Sequence, residues 1–236
     1  MHREIRAEYR ERYPEAAADR KAVILAGPPG AGKGSILSSV LGAEENSYLR
    51  LDADQIKESL LQRAVADGTY ESTIKPPAVR DLEQSGEQFY PLEMASLVHE
   101  ESSMIVHHLR DMAVADGTNL IIDGVLSNPE GARRLGGQLA AAGYDITVVD
   151  VEVPFEVSEH AIRQRWEEKY TQARNGEENA LGGRWVPSSY ARNIFDGPNG
   201  HSRPEAVARD LAQNNGSVSS YQLWLSRVRL SGRAVM

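Results

Sequence analysis

A lysine inside the stretch GPPGAGKGS, Gly27 to Ser35, is the first residue whose setting points to chemistry. Gly27, Gly32 and Lys33 complete the pattern G-x-x-x-x-G-K, straight after the apolar run AVILA. Glycines let successive backbone N–H groups curl toward an anion, and a helix that starts there adds its positive end. The loop of Gly27, Gly30, Ala31, Gly32, Lys33, Gly34 and Ser35 is therefore expected to hold the phosphates of a nucleotide, with the Lys33 ammonium on the β- and γ-phosphates. A Ser or Thr usually follows the lysine and reaches Mg²⁺. Gly34 stands there instead, and the hydroxyl comes one position later, at Ser35. Mg²⁺ is still expected, because triphosphate chemistry needs its β/γ charge neutralised.

Binding phosphate is not yet chemistry. LIIDG (120–124) is an apolar run ending in Asp123, the place at a sheet edge for a magnesium-organising acid beside Ser35. RLDADQIK (50–57) carries Asp52 and Asp54. A carboxylate there can take the proton from an acceptor hydroxyl lying beside the γ-phosphate, while one of the two caps the helix that follows. Four arginines come later: Arg163 and Arg165 in HAIRQRW, then Arg174 and Arg184 around a glycine-rich tract. Guanidiniums on a loop that closes over a moving phosphoryl group exclude water and stabilise its charge. Some of the four are ordinary solvated surface arginines. The six histidines show no metal-ligand spacing, and His107 and His108 are adjacent on a helix and face different ways. Trp166 and Trp185 flank the arginine tract and are expected to pack, with stacking on a base or uracil as the alternative.

The elements that must position these groups alternate. HREIRAEYRERY reads as a polar helix with Ile5, Tyr9 and Tyr13 on one stripe, stopped at Pro14. Strands are expected at 22–27, 47–52, 119–124 and 144–154, with helices at 34–42, 53–68, 91–117, 128–143 and 155–170. Segment 68–91 reads as a surface excursion with little regular structure, and 171–187 as a mobile polar loop. Beyond it, YARNIF and RPEAVARDLAQN read as helices and YQLWLSRVRL as a closing strand. Strands alternating with helices give an α/β fold: a three-layer P-loop sandwich, its mostly parallel central sheet flanked by helices. No linker divides the chain. Residues 1–236 are expected to form one domain with a helical extension at 1–20, an arginine-bearing lid at about 171–187 and a C-terminal extension at 196–236.

Composition narrows the field. Apolar residues at 41% and charged residues at 25% are ordinary for a soluble globular protein. The absence of cysteine excludes disulfides, thiolate metal sites and cysteine nucleophiles, and fits a reducing cytoplasm. The N-terminus is too charged for a signal peptide, and no apolar stretch approaches the roughly 20 residues of a membrane span. A net charge of -8 argues against a nucleic-acid surface.

Taken in order, the P-loop, D-x-D after the second strand, NLIIDG, AAGYDITVVDVEVP, R-Q-R-W and GGRWVP resemble the zeta toxins over roughly residues 20–195. That resemblance implies a kinase that transfers the γ-phosphoryl group of ATP to a hydroxyl of UDP-N-acetylglucosamine. It implies that Lys33 is the P-loop lysine, Asp54 the base, Asp123 the acid of the third strand, and Arg165 and Arg184 the lid arginines. The substrate-binding glutamate of the long helix falls on Glu101, with Glu100 beside it. Ser127 stands in for a threonine that commonly follows the third-strand acid, where this sequence has Val125. A helical antitoxin obstructing the nucleotide site is also implied.

Other readings stay open. G-K-G-S is similar to the loop of adenylate kinases, which keeps a nucleoside monophosphate kinase in view, although no base-reading pattern follows the second strand. An antibiotic phosphotransferase would use the same chemistry, with specificity set by residues 68–101. A non-catalytic nucleotide switch would need no acceptor base at Asp54.

Overall fold

The run KAVILA forms β1 (Lys21–Ala26), whose last five residues are buried. In the computed structural model, which describes residues 2–225, β1 is the middle of a five-stranded sheet. The order is β2-β3-β1-β4-β5, with β2 at Leu49–Asp52, β3 at Leu120–Asp123, β4 at Asp145–Glu152 and β5 at Val218–Leu225. Every pairing is parallel. Ala22, Ile24 and Ala26 feed one core and Val23 and Leu25 the other, so a strand buried on both faces reads as an unbroken apolar run.

Helices cover both faces. They are α1 (His2–Glu11), α2 (Lys33–Leu41), α3 (Ala53–Ala66), α4 (Pro77–Gln84), α5 (His99–Asp116), α6 (Pro129–Ala141), α7 (Phe155–Arg174), α8 (Ser188–Ile194) and α9 (Arg203–Asn214). The larger core joins α1, α3, α5, α6 and α9 to one face of the sheet through Ile5, Leu60, Leu61, Ile105, Leu139 and Leu211. The smaller core joins α2 and the start of α7 to the other face through Leu37 and Val157. The three-layer α/β architecture is the one expected. Register sets the site: Asp52 of β2 pairs opposite Asp123 of β3, so both acids reach the carboxyl edge together.

Three expectations need correction. Segment 68–91 is not irregular. Tyr70–Ile74 winds as a π-helical turn, and Pro77 opens α4 instead of breaking it. Its anchor is the buried Lys75, whose Nζ meets Glu71 at 2.7 Å and Glu83 at 2.9 Å beneath the Tyr70 ring. Order here comes from ion pairing around one lysine, which leaves no periodic trace.

The helix expected over 91–117 is two pieces. Pro91–Val98 winds as 3₁₀ before α5 begins. Leu92, Ala95 and Val98 recur every three residues and all pack on the larger core, the period of that tighter helix.

The tract 171–187 is not a free loop. α7 runs on to Arg174, and Leu181, Gly182, Gly183 and Val186 are buried. Of the expected closing strand, residues to Leu225 are in β5, and SRVRL lies outside the described residues. Among the described residues, no helix is long and apolar enough to cross a membrane.

Candidate active site

The P-loop is held open by its glycines. Gly27, Gly30 and Gly32 all have positive φ, at 125°, 75° and 83°. Gly27 also lies against β4, where a Cβ would collide with the Val151 carbonyl. A Cβ on Gly30 would lie 2.8 Å from the Ser158 carbonyl. The buried Ser158 side chain of α7 donates to the Pro29 carbonyl at 2.7 Å, which ties the loop to the helix behind it. The N-cap of α2 is Gly32, with no side chain over the helix end. Lys33 curls back over the loop, its Nζ donating to the Gly27 carbonyl at 2.9 Å and the Pro28 carbonyl at 3.0 Å. Burial pushes the Lys33 ammonium below its usual value, opposed by the negative charge of Asp123. Gly34 follows in the first turn of α2, and Ser35 is exposed there.

The two aspartates after β2 divide the work. Asp52 caps α3, its Oδ1 accepting from the Asp54 amide at 2.8 Å. Burial and then the charge of Asp123 push the Asp52 carboxyl up. Asp54 points its Oδ1 at Arg184 Nη1, 3.0 Å away, and at Lys57 Nζ, 3.1 Å away. Asp123 accepts from Arg50 Nε at 3.1 Å. Among the described residues, no group of three or more His, Asp or Glu converges as a metal site.

Asp54, Arg165 and Arg184 line one cleft of about 400 Å³, together with Asp52, Glu58 and Lys169. Partial desolvation and then the neighbouring Arg184 lower the pKa of Arg165. The other two arginines stand outside that cleft's lining. Arg163 is exposed and pairs with Glu159 at 3.2 Å, and Arg174 ends α7.

Of the expected site residues, the P-loop with Lys33 and Ser35, Asp123, Glu100, Glu101 and Ser127 do not line this cleft. Glu101, in the first turn of α5, pairs with His2 of α1. Ser127 lies between β3 and α6, just after Leu126, which has a positive φ of 56°. Glu100 is exposed at the start of α5.

Arg184 is delivered by a strap, residues 175–187, clamped on both sides. Gly183 lies so close to α7 that a Cβ would stand 2.7 Å from the Trp166 Cα. A Cβ on Gly182 would collide with that of Tyr90. The Leu92 amide donates to the Leu181 carbonyl at 2.9 Å. Trp166 meets Trp185 edge to face at 5.4 Å and tilts against Tyr170 at 5.1 Å, so the two tryptophans pack as expected. Glu93 accepts from Trp166 Nε1 at 3.3 Å and from the Tyr90 amide at 2.9 Å.

Several residues escaped the reading of the sequence. Arg50 had a signal: it alternates with Asp52 on β2, so both share a face. Lys57 had a weaker one, three residues after Asp54 on a helix. Ser158 and Glu93 had none, since their partners Pro29 and Trp166 are far away in the chain.

Behind the P-loop, β4 ends in two buried acids. Tyr221 donates to Asp150 at 2.8 Å and Ser202 to Glu152 at 2.8 Å. Burial pushes Glu152 up to about 8, and the negative charge of Asp150 adds to that.

The sequence profile described as zeta toxin matches residues 6–201. The chain belongs to the zeta toxin family. A solved structure from the PezAT chromosomal toxin–antitoxin system of Streptococcus pneumoniae superposes with a TM-score of 0.62 at 15% identity, covering 94% of this chain and 76% of that one. The AvrRxo1-ORF1:ORF2 complex with ATP superposes with a TM-score of 0.51 at 18% identity, over 71% of this chain and 49% of that one. These likenesses are to the fold alone. A Bacillus pumilus protein described as an uncharacterized methyltransferase is 25% identical over 144 residues, which are 59% of this zeta-family chain and 65% of that protein.

Proposed function

We propose that this zeta-family protein is an ATP-dependent kinase whose acceptor is a sugar hydroxyl of UDP-N-acetylglucosamine. The observation that carries the reading is the Asp54–Arg184 contact of 3.0 Å in a cleft also lined by Arg165. An acceptor base and two phosphoryl-stabilising cations then share one site, an arrangement a nucleotide switch does not need.

In this reading the P-loop amides and Lys33 hold the ATP phosphates. The acceptor oxygen attacks the γ-phosphorus while its proton passes to Asp54. The bond from that phosphorus to the β–γ bridging oxygen breaks, and ADP leaves. Asp54 suits the role better than Asp52, whose carboxylate is already committed to capping α3. Arg165 and Arg184 meet the charge on the γ-phosphoryl oxygens, and positioning supplies nearly all of the catalysis. Glu101 and Ser127 remain proposed acceptor ligands on family resemblance.

Magnesium takes one or two carboxylates and otherwise water and phosphate oxygens. Asp123 and the exposed Ser35 hydroxyl fit so sparse a donor set, with Arg50 holding the Asp123 carboxylate in place. When bound, the ion would neutralise charge on the β- and γ-phosphates. A proteinaceous antitoxin is proposed as a partner on the same family grounds.

The test is ATP consumption by the purified protein with and without UDP-N-acetylglucosamine, with the sugar nucleotide followed by mass spectrometry. One added phosphoryl group is expected, with turnover falling by about 10²–10⁴ in Asp54→Asn while ATP binding persists. ATP binding without that product in the wild type sinks this acceptor and turns the search to nucleotides, other sugars and antibiotics.

A further inference from the structure

β2 is the edge strand of the sheet, and its outer edge is covered in an unusual way. Leu49 turns its amide inward, donating to the Asn119 carbonyl at 2.8 Å. By the alternation of a strand, Arg50 and Asp52 turn theirs outward, where no further strand follows among the described residues. An open edge of this kind leaves backbone groups unpaired. Here one side chain meets both. The Tyr9 hydroxyl of α1 donates to the Arg50 carbonyl at 2.8 Å and accepts from the Asp52 amide at 3.2 Å. A single oxygen thus does what the N–H and C=O of a neighbouring strand would do.

We propose that Tyr9 is a positioning residue for phosphoryl transfer, closing the edge of β2 and so holding the corner from which Asp54 projects. The chain of contacts is short. The backbone that Tyr9 clamps carries Arg50, which holds Asp123, and Asp52, whose Oδ1 holds the Asp54 amide at 2.8 Å. Asp54 then meets Arg184 across the cleft. Tyr9 itself is 1% exposed, and burial raises the pKa of its phenol, so the donor is retained. α1 is pinned independently of that hydroxyl. Ile5 is buried, Arg63 meets Glu4 at 3.3 Å and also Glu8, and Arg10 meets Asp116 at 2.9 Å. Removing one oxygen therefore leaves the helix its other holds.

This inference rests on Asp54 acting as the base, and the experiment separates the two. Full-length wild type, Tyr9→Phe and Ile5→Ala are compared in ATP turnover with UDP-N-acetylglucosamine as probe, in melting temperature, and in amide hydrogen exchange at Asp52 and Asp54. Tyr9→Phe removes both hydrogen bonds of the hydroxyl and is expected to lower kcat at least about tenfold, with KM for ATP unchanged. It should also speed exchange at the Asp52 amide. Ile5→Ala should lower the melting temperature at least as far and leave kcat near wild type. If both variants lose kcat in proportion to stability, or if Tyr9→Phe changes neither kcat nor exchange at Asp52, the positioning role is overturned.

A wild type that turns over no probe removes this acceptor, while the exchange comparison still decides the clamp. Should Tyr9→Phe fail to fold, the wild type alone is decisive. Its Asp52 amide must exchange as slowly as the inward-facing Leu51 amide, and free exchange there overturns the proposal.

Discussion

Two glycine-rich segments serve the candidate site, and they use glycine for different ends. In the P-loop, Gly27, Gly30 and Gly32 adopt positive φ and turn the backbone itself into the ligand. In the strap, Gly183 serves only to let one backbone pass against another at Trp166. The first segment makes a binding surface that any phosphate can use. The second presents a side chain, Arg184, to one particular carboxylate, Asp54. In the proposed reaction, donor binding is thus a backbone property, and acceptor activation is a side-chain property that depends on packing.

That contrast can be broken most sharply at Gly27. Gly27→Ala places a methyl group on the Val151 carbonyl at a φ of 125°, which a side chain rarely adopts. ATP affinity measured by calorimetry is expected to fall by about 100-fold or more, because strain and overlap with backbone together cost several kcal/mol. Near-normal ATP binding would mean that the loop's geometry is not what holds the nucleotide.

Gly183→Ala tests the other side. Its methyl group meets the Trp166 backbone, which cannot yield, and overpacking of this kind costs about 1–3 kcal/mol. The strap should lift, with turnover down about 10- to 100-fold, red-shifted tryptophan fluorescence and unchanged ATP affinity. Equal losses of ATP affinity and turnover would erase the division between the two segments.

The smallest effect concerns the support behind the P-loop. Glu152 holds its proton up to about pH 8 in the folded chain, against an ordinary value of 4.5. The folded state therefore binds a proton that the unfolded state has released. Stability from this group falls as pH rises from 4.5 toward 8 and levels off above it. Melting temperature should drop across that window in the wild type and drop less in Glu152→Gln. Matching slopes in the two proteins would remove Glu152 as the source.

Much of the site was legible because its signals are local. The P-loop writes itself as glycines at fixed spacing between a strand and a helix. The cap at Asp52 and the proposed base at Asp54 lie within one turn, so a cap at one of the two was foreseeable. The strap was misread because polar, glycine-rich composition is the signature of mobility as well as of close approach. Only the position of Tyr90 and Trp166 separates the two. Glu101 was named by resemblance alone, and no local pattern foretold its pairing with His2 of α1.

The sequence by itself determined the alternation of strands and helices, the phosphate loop and the set of charged groups available for phosphoryl transfer. Each of those follows from periodicity, chain stiffness or spacing within a few residues. Tertiary structure decided which of four arginines reach the cleft, which acid is tied to Arg50, and that a tyrosine from α1 closes the sheet edge. Those contacts join residues tens of positions apart. They are selected by burial and hydrogen-bond satisfaction over the whole fold, which no local pattern records.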